Sequence, residues 1–296
     1  MKKSLWIILL LGHSLASQAA QAATHHQKGH KSHKAVTHTD AHGARPNLQS
    51  NIALILDEQT GQVIYNKNAE LQAPIASITK LMTAMVVLDS KPDMAAELSV
   101  DVEDLDTLKG TTSRLRIGMS FTRAEMLQMA LMASENRAAS ALARGYPGGM
   151  SAAIAAMNNK ARQLGMSSTK FFDPTGLNSD NVSTAQDLAK MVAAAQHYPL
   201  IHQYTTTAST SMEGWNGREL RFSNTNPLVK NASWNIGVSK TGFINEAGRC
   251  LVMEAKINQR PVIIVLLNSW GKRTRIGDAN RIKKWMEARN TVAVKT

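Results

Sequence analysis

A serine three residues ahead of a lysine, both at the start of an apolar helix, is a minimal kit for nucleophilic chemistry. Ser77-Ile-Thr-Lys80 has this form. Positions three apart share one face of a helix, so the Lys80 amine can reach the Ser77 hydroxyl. The free N–H groups of a helix N-terminus favour a developing oxyanion. A lysine desolvated beside other cations loses basicity and can accept the hydroxyl proton. The same letters recur at Ser167–Lys170 and Ser269–Lys272. The first follows Leu164-Gly165, which ends a helix, and the second lies in a glycine-containing turn past a strand. Neither has the helical setting.

Two other segments carry complementary groups. Ser134-Glu-Asn136 falls where one helical stretch ends and another begins. From such a corner Ser134 can relay a proton to a leaving amine and the Asn136 amide can hold a peptide carbonyl. A simple helix–helix turn explains the same letters, because Ser and Asn favour caps. Ser179-Asp-Asn181 and Ser233-Trp-Asn235 repeat the spelling. Lys240-Thr-Gly242 closes a strand. Lys240 offers fixed positive charge, Thr241 a hydrogen-bond donor, and Gly242 a bare backbone along which a peptide can lie.

The elements that must position these residues follow from the apolar pattern. Ile52–Leu56 and Gln62–Tyr65 read as a hairpin around Asp57-Glu-Gln-Thr-Gly61. An apolar helix is expected over about Ser77–Leu88. Thr122 and Glu125 form a capping box for a helix through Met132. Further helices are expected over about 138–143, 150–164 and 184–196. Strands return at 234–241, 249–256 and 261–268, with Asn258-Gln259 as a turn. A final helix over about 276–289 carries Ala279, Ile282, Trp285 and Met286 on one stripe. The expected fold class is α/β: an antiparallel five-stranded sheet assembled from both ends of the chain and flanked by helices, plus an all-helical subdomain inserted at about 90–230. Clefts at such junctions favour binding.

The order Ser-x-x-Lys, Ser-x-Asn, Lys-Thr-Gly resembles that of the β-lactamase and penicillin-binding enzymes. The flanks Ala76-Ser77-Ile-Thr-Lys-Leu-Met-Thr and Leu131-Met-Ala-Ser134-Glu-Asn-Arg-Ala are similar to the low-molecular-mass penicillin-binding proteins, which are serine D-Ala-D-Ala peptidases. The resemblance spans about Asn51 to Arg289. It implies that Ser77 is acylated, Lys80 is the proton acceptor, and Ser134 and Asn136 shuttle protons and position substrate. Lys240, Thr241 and Gly242 would bind substrate, and the backbone N–H groups of Ser77 and Phe243 would form the oxyanion hole. No metal or cofactor is implied. Peptidoglycan peptides and β-lactams are the implied ligands, and cleavage of D-alanyl cross-links by a DD-endopeptidase is the leading expectation. A D-Ala-D-Ala carboxypeptidase, a β-lactamase and a catalytically silent wall-binding or β-lactam-sensing module are the alternatives. Class A β-lactamases use a glutamate to activate the deacylating water. Before Leu177-Asn178 this chain has only Asp173, so trapping by penicillin is expected rather than fast hydrolysis.

The termini and composition set the compartment. Lys2 and Lys3, the apolar run Leu5–Leu11 and Ala20-Gln21-Ala22 form a signal-peptide pattern, too short to span a bilayer. Cleavage near Ala22 and a periplasmic location are expected, with no transmembrane segment. Residues 23–50 hold six histidines (25, 26, 30, 33, 38 and 42) among few apolar side chains, and read as a disordered linker with a capacity for adventitious metal. The peptidase domain is assigned to 51–296. Only two strands and one helix are expected after Gly242. Lys283, Lys284 and Arg289 make the last helix a candidate surface anchor, but its narrow apolar stripe favours packing on the sheet. Cys250 is the single cysteine, so no internal disulfide framework exists. The formal charge of +12 suits an anionic wall polymer. No nucleic-acid-binding pattern is present, and partner wall hydrolases cannot be read from the residues.

Overall fold

A computed structural model describes residues 45–293, with side chains through residue 289. The signal peptide and the histidines through His42 lie outside the described residues. Strand β1 (Ile52–Asp57) is apolar at five consecutive positions because helices cover both faces of its sheet. Asp57 starts the return turn by accepting the backbone N–H and hydroxyl of Thr60, each at 2.8 Å. The chain then enters β2 (Val63–Lys67). Three long strands close the sheet: β3 (Asn235–Ile244), β4 (Gly248–Ile257) and β5 (Arg260–Ser269). Asn258 and Gln259, with φ of 51° and 62°, form a tight mirror-image turn that matches the strand twist. The order is β2-β1-β5-β4-β3, antiparallel throughout.

Seven helices surround this sheet among the described residues. On one face, helix α5 (Ala185–Ala195) packs on β1, β4 and β5 and α6 (Pro199–Thr206) on β3, while α1 (Thr79–Asp89), α2 (Arg123–Met132), α3 (Asn136–Arg144) and α4 (Gly149–Gln163) build the helical region beside them. The last helix, α7 (Thr274–Ala293), buries Ala279, Ile282 and Met286 against the other face. Its apolar stripe is thus spent on the sheet. No described helix is long and apolar enough to cross a membrane.

Three features differ from the sequence reading. Leu48 and Ser50, placed in the linker, are buried on the domain. Ser50 and Gln49 donate backbone N–H groups to Asp278 of α7 at 2.7 and 3.0 Å, and Lys67 donates to the carbonyls of Leu48 and Ser50. Helix α6 was not anticipated, although Pro199 at its first turn is a helix-start signal. The inserted region is also not purely helical. It holds the ribbon of Glu97–Ser99 with Ser120–Thr122 and the hairpin of Ser209–Glu213 with Glu219–Ser223.

Candidate active site

Ser77 sits in a 3-10 turn, Ala76–Ile78, that runs directly into α1. Ala76 is fully buried and holds a left-handed φ of 48°, a conformation that costs a non-glycine residue about 1–3 kcal/mol. Lys80, one helical turn on, is 1% exposed. Its Nζ lies 2.9 Å from Ser77 Oγ, 2.7 Å from Asn136 Oδ1 and 2.6 Å from the Thr175 carbonyl. Burial draws its pKa from 10.5 to about 7, against the opposing pull of the Asp173 and Glu135 carboxylates. At neutral pH a large share of Lys80 is therefore an uncharged amine. Asn136 Oδ1 and the Thr175 carbonyl can only accept, so they take the two amine hydrogens. The lone pair then faces the Ser77 hydroxyl.

Ser134 forms the corner between α2 and α3. Its left-handed φ of 61° ends one helix and redirects the chain into the next. The capping box of Thr122 and Glu125 fixes the start of α2, and so the position of the corner at its far end. Lys240, also 1% exposed, donates to Ser134 Oγ at 2.8 Å and to the Thr241 carbonyl at 2.9 Å. Burial lowers its pKa well below the lysine value, and the nearby charges of Lys80 and Arg275 push the same way. Thr241 Oγ1 meets Thr225 Oγ1 at 2.6 Å. The Lys-Thr-Gly segment lies inside β3 rather than at its end, since the strand continues to Ile244. A Cβ on Gly242 would come within 3.0 Å of Ser77 N and the Ile75 carbonyl, so the bare backbone of β3 abuts the Ser77 turn. Phe243 is half exposed beneath the Arg249 guanidinium, 4.3 Å from its ring centre.

Residues 38–271 match the family model described as D-alanyl-D-alanine carboxypeptidase. The chain belongs to that family of serine peptidases. It is 48% identical to the D-alanyl-D-alanine endopeptidase of Pseudomonas aeruginosa over 248 residues, covering 83% of this chain and 80% of the relative. With the Escherichia coli D-alanyl-D-alanine endopeptidase the identity is 47% over 252 residues, covering 85% and 81%. Among solved structures, a Mycobacterium tuberculosis D-alanyl-D-alanine carboxypeptidase superposes with a TM-score of 0.76 at 28% identity, covering 84% of this chain and 95% of that one. The expected fold class, family and D-Ala-D-Ala peptidase chemistry all hold.

Several residues that shape this peptidase site escaped the sequence reading. Asp173 accepts four hydrogen bonds within the loop 173–178, from Thr175 N, Thr175 Oγ1, Gly176 N and Asn178 N. The loop so wound delivers the Thr175 carbonyl to Lys80. Asn181, whose triplet rivals Ser134–Asn136 by spelling, is fully buried. Its amide bridges the Phe172 backbone, the Asp173 carbonyl and Thr79 Oγ1, and its own carbonyl accepts Ile75 N. It is the buckle between this loop and the Ser77 turn. Gly176 has φ +82°, and a Cβ there would stand 1.9 Å from the Ala76 carbonyl oxygen. Arg275 on α7 is 8% exposed, its Nε has no partner among the described residues, and its charge reaches Lys240. Ser269, in one of the decoy motifs, is buried against Ser50. No group of three or more potential metal ligands exists among the described residues.

Proposed function

We propose that this enzyme is a periplasmic serine DD-endopeptidase that hydrolyses D-alanyl cross-links of peptidoglycan through an acyl-enzyme on Ser77. One observation carries the mechanism: a fully buried Lys80 amine 2.9 Å from Ser77 Oγ, with both of its remaining hydrogens held by acceptors. Lys80 takes the hydroxyl proton as Ser77 Oγ bonds to the D-alanyl carbonyl carbon. The resulting oxyanion faces the N–H groups of Ser77 and Phe243. Ser134, hydrogen-bonded to Lys240, passes a proton to the leaving amine as the C–N bond breaks and is reprotonated by the Lys80 ammonium, so that the proton taken from Ser77 ends on the amine. Lys80, neutral again, takes a proton from the water that attacks the ester carbon and passes it to Ser77 Oγ as the acyl C–O bond breaks. Asn136 and Thr241 hold the peptide, and Gly242 lets the Ser77 turn sit directly against β3. Arg275 adds positive charge beside Lys240, suited to a substrate carboxylate.

Endopeptidase rather than carboxypeptidase action is supported by the names of the relatives that are 48% and 47% identical. Digestion of purified wall fragments with mass spectrometry of the products tests the choice. Cross-linked dimers should become monomers, with little free D-Ala from monomeric pentapeptide. Equal release of D-Ala from the pentapeptide makes the protein a carboxypeptidase. A fluorescent penicillin should label Ser77 stably and leave Ser77→Ala unmarked. Label persisting on that variant would remove Ser77 from the mechanism.

A further inference from the structure

The surface beside the Ser134–Asn136 corner opens into a hollow of about 810 Å³. One wall is the segment 113–116 and the other is the tip of the hairpin Ser209–Glu213/Glu219–Ser223. Arg114, Arg116, Arg218 and Arg221 all line it, and all are exposed. Of these four, only Arg221 has a carboxylate partner among the described residues, Glu219 at 2.8 Å, which lines the hollow too and leaves the arginines in excess. Arg114 instead lies 5.2 Å over the Phe222 ring. Like charges gathered around a concavity focus a positive potential and concentrate anions. Trp215, 57% exposed, stands among them as a flat apolar face. The left-handed Asn216 that follows it fixes the hairpin tip.

The hollow is coupled to the site through its own wall. Thr111 Oγ1 accepts Asn136 Nδ2 at 3.0 Å, Ser113 donates to Glu135, and the Leu115 carbonyl accepts Arg137. Odd positions of this stretch thus grip the corner while Arg114 and Arg116 line the hollow. An extended chain covers at most about 17 Å over five residues, so the arginines begin within one short peptide's length of Asn136.

We infer that this hollow seats an acidic peptide, the carboxylate-bearing stem of the second wall strand in a cross-linked substrate. The inference rests on the endopeptidase reading, because only a cross-linked substrate presents two stems at once. The Arg groups pair with free carboxylates of the stem, and Trp215 packs on its aliphatic portions.

Calorimetry on the full chain carrying Ser77→Ala, with an uncross-linked acidic wall tripeptide as probe, tests the seat without turnover. Adding Arg116→Glu and Arg218→Glu should weaken binding about tenfold or more, whereas lysine at both positions should retain most of it. In the Ser77 background the charge-reversed protein should acylate with penicillin at the wild-type rate, which shows it folded, yet cleave cross-linked dimer with a raised KM. The inference is overturned by unchanged tripeptide affinity after charge reversal. Equal binding of a tripeptide with amidated carboxylates, or of a peptide-free glycan strand, overturns it as well. Failure of dimer cleavage by the wild-type enzyme would remove the endopeptidase reading, while tripeptide binding would still decide whether the hollow is an acidic-peptide site.

Discussion

At the scale of single residues, the site depends on a lysine made poorly basic by burial. Full exposure would leave the Lys80 amine protonated and unable to accept a proton near neutrality. Because its folded pKa is about 7, the reactive neutral form dominates above that value and is lost below it. Penicillin acylation measured against pH should therefore fall by about tenfold per unit below pH 7, with a plateau above. Lys80→Arg keeps the charge but cannot deprotonate, so acylation should drop about 10²–10⁴-fold. A variant within tenfold of wild type by stopped-flow acylation would move the base role elsewhere. The Ser77–Lys80 pair was legible in the sequence because it opens an apolar helix, a setting that the same letters at Ser167–Lys170 and Ser269–Lys272 lack. Arg275 was not, since one arginine on an amphipathic helix carries no sign of having its Nε buried without a partner.

At the scale of elements, the Ser77 turn is held from two sides by closely approaching glycine backbone. β3 approaches at Gly242 and the 173–178 loop at Gly176. Gly176→Ala adds left-handed strain of about 1–3 kcal/mol and drives a methyl into the Ala76 carbonyl. Gly165 is the matching control, left-handed at φ +68° with open space around its Cβ position. Both alanine variants should unfold at lower temperature, but only Gly176→Ala should also slow acylation. Equal acylation by the two would show that the loop does not position the nucleophile. The helices and long strands were readable because their apolar spacing is set by one buried face. The Asp173–Asn181 arrangement was not, because polar loop residues look alike whether they meet water or each other. The hairpin 209–223 did leave a trace: Thr210 and Met212 alternate with polar neighbours, as do Leu220 and Phe222. Those alternations are too short to outweigh the surrounding Ser and Thr.

At the scale of the whole molecule, both ends of the described chain are fastened to one sheet. Asp278 of α7 accepts Ser50 Oγ at 2.5 Å as well as the backbone of Gln49 and Ser50, and pairs with Arg281. Burial alone would raise its pKa, but these donors win and hold the carboxyl below its usual 3.8. A depressed carboxyl stabilises the fold above its unfolded pKa and ceases to as pH falls through the folded value. Asp278→Asn should thus cost about 1–3 kcal/mol at neutral pH by urea unfolding, and the gap from wild type should narrow below pH 3.8. A constant gap down to pH 2 would mean that the charge is not what clips the ends together. The same closure has a bearing on how the enzyme comes into being. Ile52 pairs with Leu267, and Ser77 abuts a strand that starts at Asn235. In a polypeptide made N-terminus first, Ser77 and Lys80 therefore emerge long before β3, β4 and β5, the strands that complete the sheet. The turn that carries Ser77 gains its support from β3 only after the chain has been made past Gly242.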